Sequence, residues 1–249
     1  MDEAWRQRLK PWACRLGALR ALPALAAYRL MRRWVGDEQA FSAAFERVSR
    51  VPGLLGVYAR QAFCRWTLSW CGRDVVVGYN TLLSKPAARL GNGVYIGRHC
   101  VIGWATIEDE AMLADGVQVL SGRHQHGDAA EPGMTLRDNP HQFTRVVIGR
   151  GAWIGAGAIV MADVGAGAIV GAGAVVVDPV EPGTRVAGVP AEPIGRSRSK
   201  ASAKAPKRRT TGDATETCAT TSRRRTTARK LETDGAAVSK AKKTRRRAA

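Results

Sequence analysis

The sequence predicts a mainly β protein, in which a helical region precedes a parallel β-solenoid and a disordered tail follows it. Three observations support this prediction. Residues 1–72 show helical spacing of apolar residues, residues 73–196 repeat an aliphatic residue every six positions, and residues 197–249 are mostly small, polar or basic. At 249 residues, the chain has room for one ordinary domain and these two appendages.

The first predicted helix lies near the N-terminus. Trp12, Leu16 and Leu19 recur at intervals of four and three residues, which places them on one helical face. Pro11 suits the first turn of a helix. Pro23 predicts the end of the same helix, because proline lacks the backbone N–H that a helix interior needs.

Two more helices are predicted, at about residues 38–51 and 54–70, with a Pro-Gly break between them. The helical region is rich in tryptophan: Trp5, Trp12, Trp34, Trp66 and Trp70. Two interpretations of these aromatic residues stay open. The favoured one packs them between the helices and the neighbouring domain, and the other forms a basic amphipathic surface that rests on anionic lipid.

The strongest signal is the six-residue repeat. An aliphatic residue followed by glycine returns at this interval, as in Leu90-Gly91, Ile96-Gly97, Ile102-Gly103, Ile148-Gly149 and Ile154-Gly155. The period fits a solenoid with triangular coils, in which one aliphatic residue points inward on each flat face and stacked coils bury it against its copies. The glycine permits the tight corner between faces.

One long segment interrupts the repeat. Residues 121–145 are polar, show no six-residue pattern and hold His124, His126 and His141, three of the four histidines in the chain. A long excursion from a repeating scaffold loses ordering entropy and adds little core, so function is the usual reason for one. The sequence therefore predicts that the chemistry of the protein lies here.

Neutral imidazole suits the task of a general base near pH 7, because its pKa lies close to that pH. His124 lies at the start of the excursion, directly after the last regular coil, and is the favoured base. His126 is the alternative base, and if the chain is extended it shares a face with His124 and contacts a substrate instead. His99 and His141 are predicted to be surface residues without a role.

These segments resemble the hexapeptide-repeat acyltransferases, a family that includes galactoside, maltose, nodulation-factor and streptogramin acetyltransferases. The most specific matches are RVVIGRGAWIGAGAIV at residues 145–160 and the glycine- and valine-rich residues 169–195. The SGRHQH segment at residues 121–126 resembles the Gly-Ser-His-Asp element of polysaccharide-modifying members. The resemblance covers about half of the chain.

The resemblance implies a left-handed parallel β-helix, assembled as a homotrimer, with acetyl-CoA as the acyl donor and no metal ion. It implies an acetyltransferase that passes the acyl group directly to a hydroxyl of a sugar or glycan precursor. His124 matches the position of the general base in the family.

The resemblance also implies where the cofactor binds. Ala156 and Ala172 match residues that contact the cofactor, and Trp153 resembles an aromatic residue near the active site. Arg185 is a candidate for the CoA phosphates, because phosphates call for cations. The family has a basic residue nearby where this chain has Glu192.

The acceptor-binding candidates are Trp104, Asp109, Arg123 and His126. The galactoside and maltose enzymes have an asparagine where this chain reads Gly-Trp-Ala at residues 103–105. An indole ring therefore replaces a hydrogen-bonding amide, and two interpretations stay open: the ring stacks on an apolar sugar face, or it only covers the coil. A simple galactoside or maltose substrate is not predicted.

Two alternatives come from other functional classes. The same kind of solenoid carries zinc-dependent carbonic anhydrases, but His124 and His126 are too close together for that ligand spacing. A non-catalytic scaffold could instead use its tail to bind nucleic acid or another polyanion. The tail, residues 197–249, holds 17 Lys and Arg against 4 Asp and Glu, whereas residues 1–196 hold 22 against 17. With so few apolar residues, the tail is predicted to be disordered.

The five cysteines are scattered and form no CxxC motif, so they predict neither a disulfide framework nor a zinc cluster. This usage favours a reducing, cytoplasmic location. No apolar run reaches the roughly 18 residues of a membrane span. The expected location is therefore the cytoplasm, with peripheral membrane contact through the N-terminal helices as an addition.

Overall fold

The computed structural model describes residues 3–125 and 142–195, with side chains from residue 11 onward. Three helices come first: α1 (Glu3–Val35), α2 (Asp37–Ser49) and α3 (Gly53–Thr67). The strands that follow are β1 (Trp70–Cys71), β2 (Val76–Val77), β3 (Leu82–Leu83), β4 (Arg89–Leu90), β5 (Tyr95–Ile96), β6 (Val101–Ile102), β7 (Ala105–Ile107), β8 (Met112–Leu113), β9 (Gln118–Val119), β10 (Val146–Ile148), β11 (Trp153–Ile154), β12 (Ile159–Val160), β13 (Ile169–Val170), β14 (Val175–Val176), β15 (Arg185–Ala187) and β16 (Glu192–Pro193).

Helix α1 runs through both of its prolines, so two details of the predicted first helix are wrong. Pro11 lies well inside the helix rather than in its first turn, and Pro23 does not end it. Each proline removes a backbone hydrogen bond. Packing offsets this loss, because Ala21, Leu25 and Tyr28 are buried on one side of the helix.

Helices α2 and α3 lie close to their predicted positions, and the predicted break is confirmed, since Pro52 is the extended N-cap of α3. Phe41, Phe45 and Phe63 are fully buried, with ring centroids 5.7–6.0 Å apart. Tyr28 of α1 joins them, 6.2 Å from Phe41. This aromatic cluster holds the three helices together.

The tryptophans are not the residues that pack this region, and the favoured interpretation is wrong for the four whose side chains are described. They are exposed: Trp12 by 62%, Trp34 by 83%, Trp66 by 43% and Trp70 by 55%. The close approach of α1 and α3 is the reason. A Cβ on Gly17 would lie 2.4 Å from the Cβ of Tyr58, so only small residues fit at this contact. The large rings remain on the outside.

The strands form three sheets, which are the three faces of a parallel β-solenoid of about five coils. Sheet A contains β1, β4, β7 and β10; sheet B contains β2, β5, β8, β11, β13, β15 and the antiparallel β16; sheet C contains β3, β6, β9, β12 and β14. Each six-residue repeat makes one face. Ile96 pairs with Leu113 and Ile102 with Val119, and all four are fully buried. The predicted solenoid with inward aliphatic stacks is confirmed.

The coils turn at three corners. The AB corner comprises residues 72–75, 91–94, 108–111, 149–152, 165–168 and 181–184. The BC corner comprises residues 78–81, 97–100, 114–117, 155–158 and 171–174. The CA corner comprises residues 84–88, 103–104, 120–125, 142–145, 161–163 and 177–179.

The helical region closes the N-terminal end of the solenoid. Arg60 of α3 is 1% exposed and donates from Nε to the Val77 carbonyl and from Nη1 to the Val51 carbonyl, both at 2.7 Å. Burial lowers the pKa of Arg60 to about 10, so the guanidinium remains charged near pH 7. The backbone N–H of Asn80 also donates to the Ser49 carbonyl at 2.9 Å.

Two predictions lie outside the described residues: the disorder of residues 197–249 and the structure of most of the excursion, with His126 and His141. The division of the chain at residues 72 and 196 stays a prediction. The helical region and the solenoid share one continuous apolar core.

Candidate active site

The ends of the excursion, residues 121–125 and 142–145, form a neck on the CA corner. The backbone N–H of Thr144 donates to the Ser121 carbonyl at 2.9 Å, and a second such bond, 3.0 Å long, closes the neck further out. Gly122 has a φ of +90°, and a Cβ there would lie 3.0 Å from the Cβ of Thr144. The chain therefore leaves and rejoins the coil at one fixed place.

Ser121 and two cationic contacts anchor the neck to earlier coils. Ser121 is 4% exposed, and its Oγ accepts a hydrogen bond from the backbone N–H of Trp104 at 2.8 Å. The half-buried Trp104 ring has the Arg145 guanidinium 5.5 Å from its centroid. Lys85 Nζ lies 4.1 Å from the centroid of the Phe143 ring. Both are cation–π contacts.

His124 lies in the neck and is exposed. Arg123 beside it is also exposed, and its Nη1 lies 3.7 Å from a carboxylate oxygen of Asp178, two coils later on the CA corner. The structure thus brings His124, Arg123 and Trp104 to one corner. His126, the alternative base, lies outside the described residues.

Ala156 and Ala172 stack on the BC corner. The backbone N–H of Gly173 donates to the Ala156 carbonyl at 2.8 Å. Both alanines are exposed, and a Cβ on Gly157 or Gly173 would meet no atom within 4 Å. This stretch of the corner therefore has no side chain larger than a methyl group, and a ligand can approach its backbone.

Trp153 and Arg185 lie next to that corner, on the outer face of sheet B. The register from β5 to β11 aligns Tyr95, Met112 and Trp153, which are 45%, 49% and 48% exposed. Arg185 lies two strands beyond Trp153, across Ile169. The four predicted cofactor residues therefore share one region of the surface.

The predicted base and the predicted cofactor residues are not adjacent in one chain. The CA and BC corners bound opposite ends of sheet C, about 15 Å apart along the strands, given ~3.3 Å per residue. Asp109 is separate again, on the AB corner. Its Oδ1 accepts from the backbone N–H of Asn92 at 2.7 Å, and its Oδ2 lies 3.3 Å from Arg150 Nη2.

Three of the four cysteines in the described residues are held as thiols rather than as activated nucleophiles. Cys14, Cys64, Cys71 and Cys100 are free thiols. Burial raises the pKa of Cys71 to about 11, and it also raises the pKa of Cys64 and of Cys100. These three thiols are protonated at neutral pH, and a thiol is a poor nucleophile compared with its thiolate. In the same described residues, no three His, Cys, Asp or Glu side chains are grouped to hold a metal ion.

Solved structures share this fold. A maltose O-acetyltransferase from Clostridium difficile 630 superposes with a TM-score of 0.57 at 21% identity, over 65% of this chain and 87% of that one. A hexapeptide-repeat-containing acetyltransferase from Vibrio cholerae O1 biovar eltor, complexed with acetyl coenzyme A, gives a TM-score of 0.53 at 20% identity, over 67% of this chain and 92% of that one.

Curated relatives extend the likeness to sequence, although no family model matches the chain. Nodulation protein L of Rhizobium leguminosarum bv. viciae is 38% identical over 111 residues, which are 40% of this chain and 55% of that protein. Serine acetyltransferase of Escherichia coli strain K12 is 35% identical over 121 residues, 46% of this chain and 38% of that protein. The repeat domain is thus similar in fold to solved hexapeptide-repeat acetyltransferases and in sequence to these two relatives. The chain spans about half, or less, of the length of these two relatives.

Sequence reasoning missed two features of this hexapeptide-repeat domain. Tyr95 and Met112 could have been found, because each immediately precedes an inward aliphatic residue, and the alternation of a strand then turns it outward. Asp178 had no such signal. It comes next to Arg123 only through the stacking of two further coils.

Proposed function

We propose that the chain is an acetyl-CoA-dependent O-acyltransferase that acylates a hydroxyl group of a sugar or glycan precursor. The neck is the observation that carries the proposal, because it presents His124 outward at the place where the repeat is interrupted. Matched proteins are named a maltose O-acetyltransferase and a serine acetyltransferase, so a hydroxyl is the acceptor group to test first.

His124 is the proposed general base. When bound, acetyl-CoA supplies an activated thioester carbonyl for attack. His124 takes the proton from the acceptor hydroxyl as its oxygen forms the new ester bond, and it then returns that proton to the departing thiolate. No enzyme nucleophile is required, which agrees with the raised pKa of the thiols of Cys64, Cys71 and Cys100.

The BC corner is the proposed site for the acyl donor. Ala156 and Ala172 leave the backbone accessible to a narrow ligand arm, and Trp153 offers an exposed ring beside them. Arg185 supplies a cation on the same face for the donor's phosphates. These contacts fit a long, partly apolar donor that ends in phosphate groups.

A second copy of the chain is proposed to complete the site. His124 and Ala172 lie at opposite ends of sheet C, so a homotrimer in which the CA corner of one copy faces the BC corner of the next would join base and donor. The exposed Tyr95, Met112 and Trp153 give sheet B an apolar surface that such a contact would cover.

The acceptor is proposed to bind at the neck. The half-buried Trp104, on the same corner as His124, would contact the acceptor with the exposed part of its ring. Arg123 would donate hydrogen bonds to hydroxyl groups of the acceptor. His126 remains part of this proposal as the next histidine along the excursion. Asp109 lies on the AB corner, so it would have to contact the acceptor from another copy.

The proposed location is the cytoplasm, where free thiols such as Cys14 stay reduced. Contact with the inner surface of a membrane, through α1, is part of the same proposal. It rests on the exposed apolar and basic side chains of that helix.

The test is the release of free thiol from acetyl-CoA with a panel of sugars, sugar nucleotides and L-serine as acceptors. We expect one acceptor class to stimulate release. His124→Ala should lower kcat/KM for that acceptor by about a hundred- to ten-thousand-fold, because an uncatalysed proton transfer replaces a positioned one.

His99→Ala is the matched control. His99 is an exposed histidine on the BC corner whose Nδ1 lies 3.0 Å from Asn80 Nδ2, and its removal should leave kcat/KM unchanged. Full turnover by His124→Ala would transfer the role of base to His126. Thiol release with none of the acceptors would contradict the proposed function, and stimulation by L-serine alone would reject the sugar acceptor.

A further inference from the structure

We infer that the outer side of α1 is a docking surface for an anionic lipid bilayer, along which the helix lies. This inference does not depend on the proposed reaction. It starts from exposed apolar residues that recur along α1 at spacings of three and four. Together they form the α1 stripe: Trp12, Leu16, Leu19, Pro23, Ala26, Leu30 and Trp34.

The α1 stripe is long and strongly exposed. Leu16, Leu19 and Leu30 are 58%, 63% and 66% exposed. The distance from Trp12 to Trp34 is ~33 Å at 1.5 Å per residue. The apolar stripe of a surface helix ordinarily faces the core. In α1 the opposite side, with Ala21 and Leu25, packs against the core, and the α1 stripe faces outward.

The charge around the α1 stripe is of one sign. Residues 4–36 hold eight basic residues and no Asp or Glu: Arg6, Arg8, Lys10, Arg15, Arg20, Arg29, Arg32 and Arg33. At 100° per residue, Arg15 and Arg33 fall on one flank of the stripe and Arg20 on the other. All three are exposed. A shallow cavity of about 410 Å³ between α1 and α3 adds Arg65 and Trp66 beside Arg15.

These features select a lipid surface over other occupants. Apolar residues with terminal tryptophans and flanking arginines match a helix that lies in the interface of an anionic membrane, where burial and charge attraction add. A second copy of α1 packed stripe to stripe would bring like charges together, with no carboxylate in residues 4–36 to neutralise them. No helix in the described part of the chain is long and apolar enough to cross a membrane.

The test is co-sedimentation of the full-length chain with phosphatidylcholine vesicles that contain about 30% phosphatidylglycerol, at about 0.1 M salt. The stripe variant is Leu19→Glu/Leu30→Glu. Its matched control is Leu54→Glu/Ile194→Glu, which changes net charge equally at residues that are 77% and 54% exposed. We expect the wild type and the control to bind. The stripe variant should lose at least about tenfold in partition coefficient.

The matched pair of variants separates the α1 stripe from the basic tail, which also attracts anionic lipid. Equal loss in both variants would assign binding to net charge alone and overturn the inference. No binding by the wild type would do the same. If sedimentation velocity gives the stripe variant a smaller assembly than the wild type, the α1 stripe contacts another copy of the chain, and the inference is wrong. Far-UV circular dichroism checks that both variants are folded, and retained binding by a folded stripe variant also rejects the inference.

Discussion

The CA and BC corners are made by the same repeat but have opposite characters. At the CA corner the chain departs from the repeat, and the neck holds polar and cationic groups, His124, Arg123 and Arg145. At the BC corner the repeat stays regular, and Ala156 and Ala172 lie one above the other with almost no side chain. One corner is irregular and presents polar side chains, whereas the other is strictly repetitive and leaves its backbone accessible.

This difference has a physical origin. A general base must project a side chain, and the positive φ of Gly122 and the buried Ser121 fix where the neck leaves the coil. A groove for a long ligand needs neighbouring coils with small residues at equivalent positions. The two requirements conflict at any single corner, which explains why the proposed base and the proposed groove lie on two different corners. An active site that uses both then calls for two copies.

The strongest prediction concerns mixed oligomers. His124→Ala removes the proposed base, and Ala172→Trp fills the proposed groove, so each variant alone should be inactive. In co-expressed mixtures purified through two affinity tags, some sites combine the groove of one variant with the histidine of the other. Every mixed trimer then holds one such site in three, so about a third of the wild-type turnover should be restored.

If each chain contained a complete site, the mixed oligomers would be as inactive as their parents. The matched control is a mixture of His124→Ala with His124→Ala carrying the second tag, which should stay inactive. Restored turnover in that control would show that the assay detects contaminating wild-type enzyme.

The second prediction compares two Gly-Ala-Gly stretches. Ala172→Leu on the BC corner should raise KM for acetyl-CoA about tenfold, because the larger side chain blocks the ligand's approach to the backbone. Ala166→Leu on the AB corner adds the same side chain to an equally exposed position and should leave KM unchanged. Steady-state kinetics at saturating acceptor measures both. An equal rise for both variants would contradict the assignment of the donor to the BC corner.

The third prediction separates strain from positioning. Gly122 and Gly167 both have positive φ, +90° and +65°, so an added Cβ should cost each about 1 kcal/mol in free energy of unfolding. Only at Gly122 does the Cβ meet another residue, Thr144, at 3.0 Å. Gly122→Ala should therefore also displace the neck and lower kcat about tenfold.

Gly167→Ala is the matched control, because its Cβ meets nothing within 4 Å. Urea denaturation gives the stability change, and acceptor-saturated assays give kcat. Equal kcat in the two variants would show that the position of the neck does not matter for turnover.

The solenoid was predictable because six-residue spacing admits one architecture. The bounds of α1 were less predictable. Pro23 reads as a helix end, and the burial of Ala21, Leu25 and Tyr28, which outweighs it, depends on the other helices. Spacing placed Trp12 and its neighbours on one face of α1. It could not show which face of α1 the rest of the molecule would cover. In the structure, the covered face is the one that carries the small residues Gly17 and Ala21.

The candidate site was predictable where it interrupts the pattern. His124 stood out because the repeat stops just before it. The separation of His124 from Ala172 was harder to foresee, since it depends on which face of the triangular coil each residue occupies. Assigning residues to faces by counting in sixes fails where a coil is shortened, as at the step from Val160 to Val164. The pairing of Arg123 with Asp178 was hidden for the same reason.

The smallest effect expected concerns two Arg–Asp pairs, one on each corner. On the BC corner, hydrogen bonds from the Arg98 backbone N–H, at 2.7 Å, and from its side chain lower the pKa of Asp115. A depressed folded pKa stabilises the protein above the unfolded pKa of about 3.9, and this contribution is lost as pH falls through the folded value. Asp115→Asn should therefore lower Tm at pH 6, and the difference from the wild type should shrink as the pH falls below about 3.9. On the CA corner, Asp178 is 81% exposed at 3.7 Å from Arg123, so Asp178→Asn should hardly change Tm at any pH. If the change in Tm depended on pH in the same way for both variants, the expected difference between the two Arg–Asp pairs would be wrong.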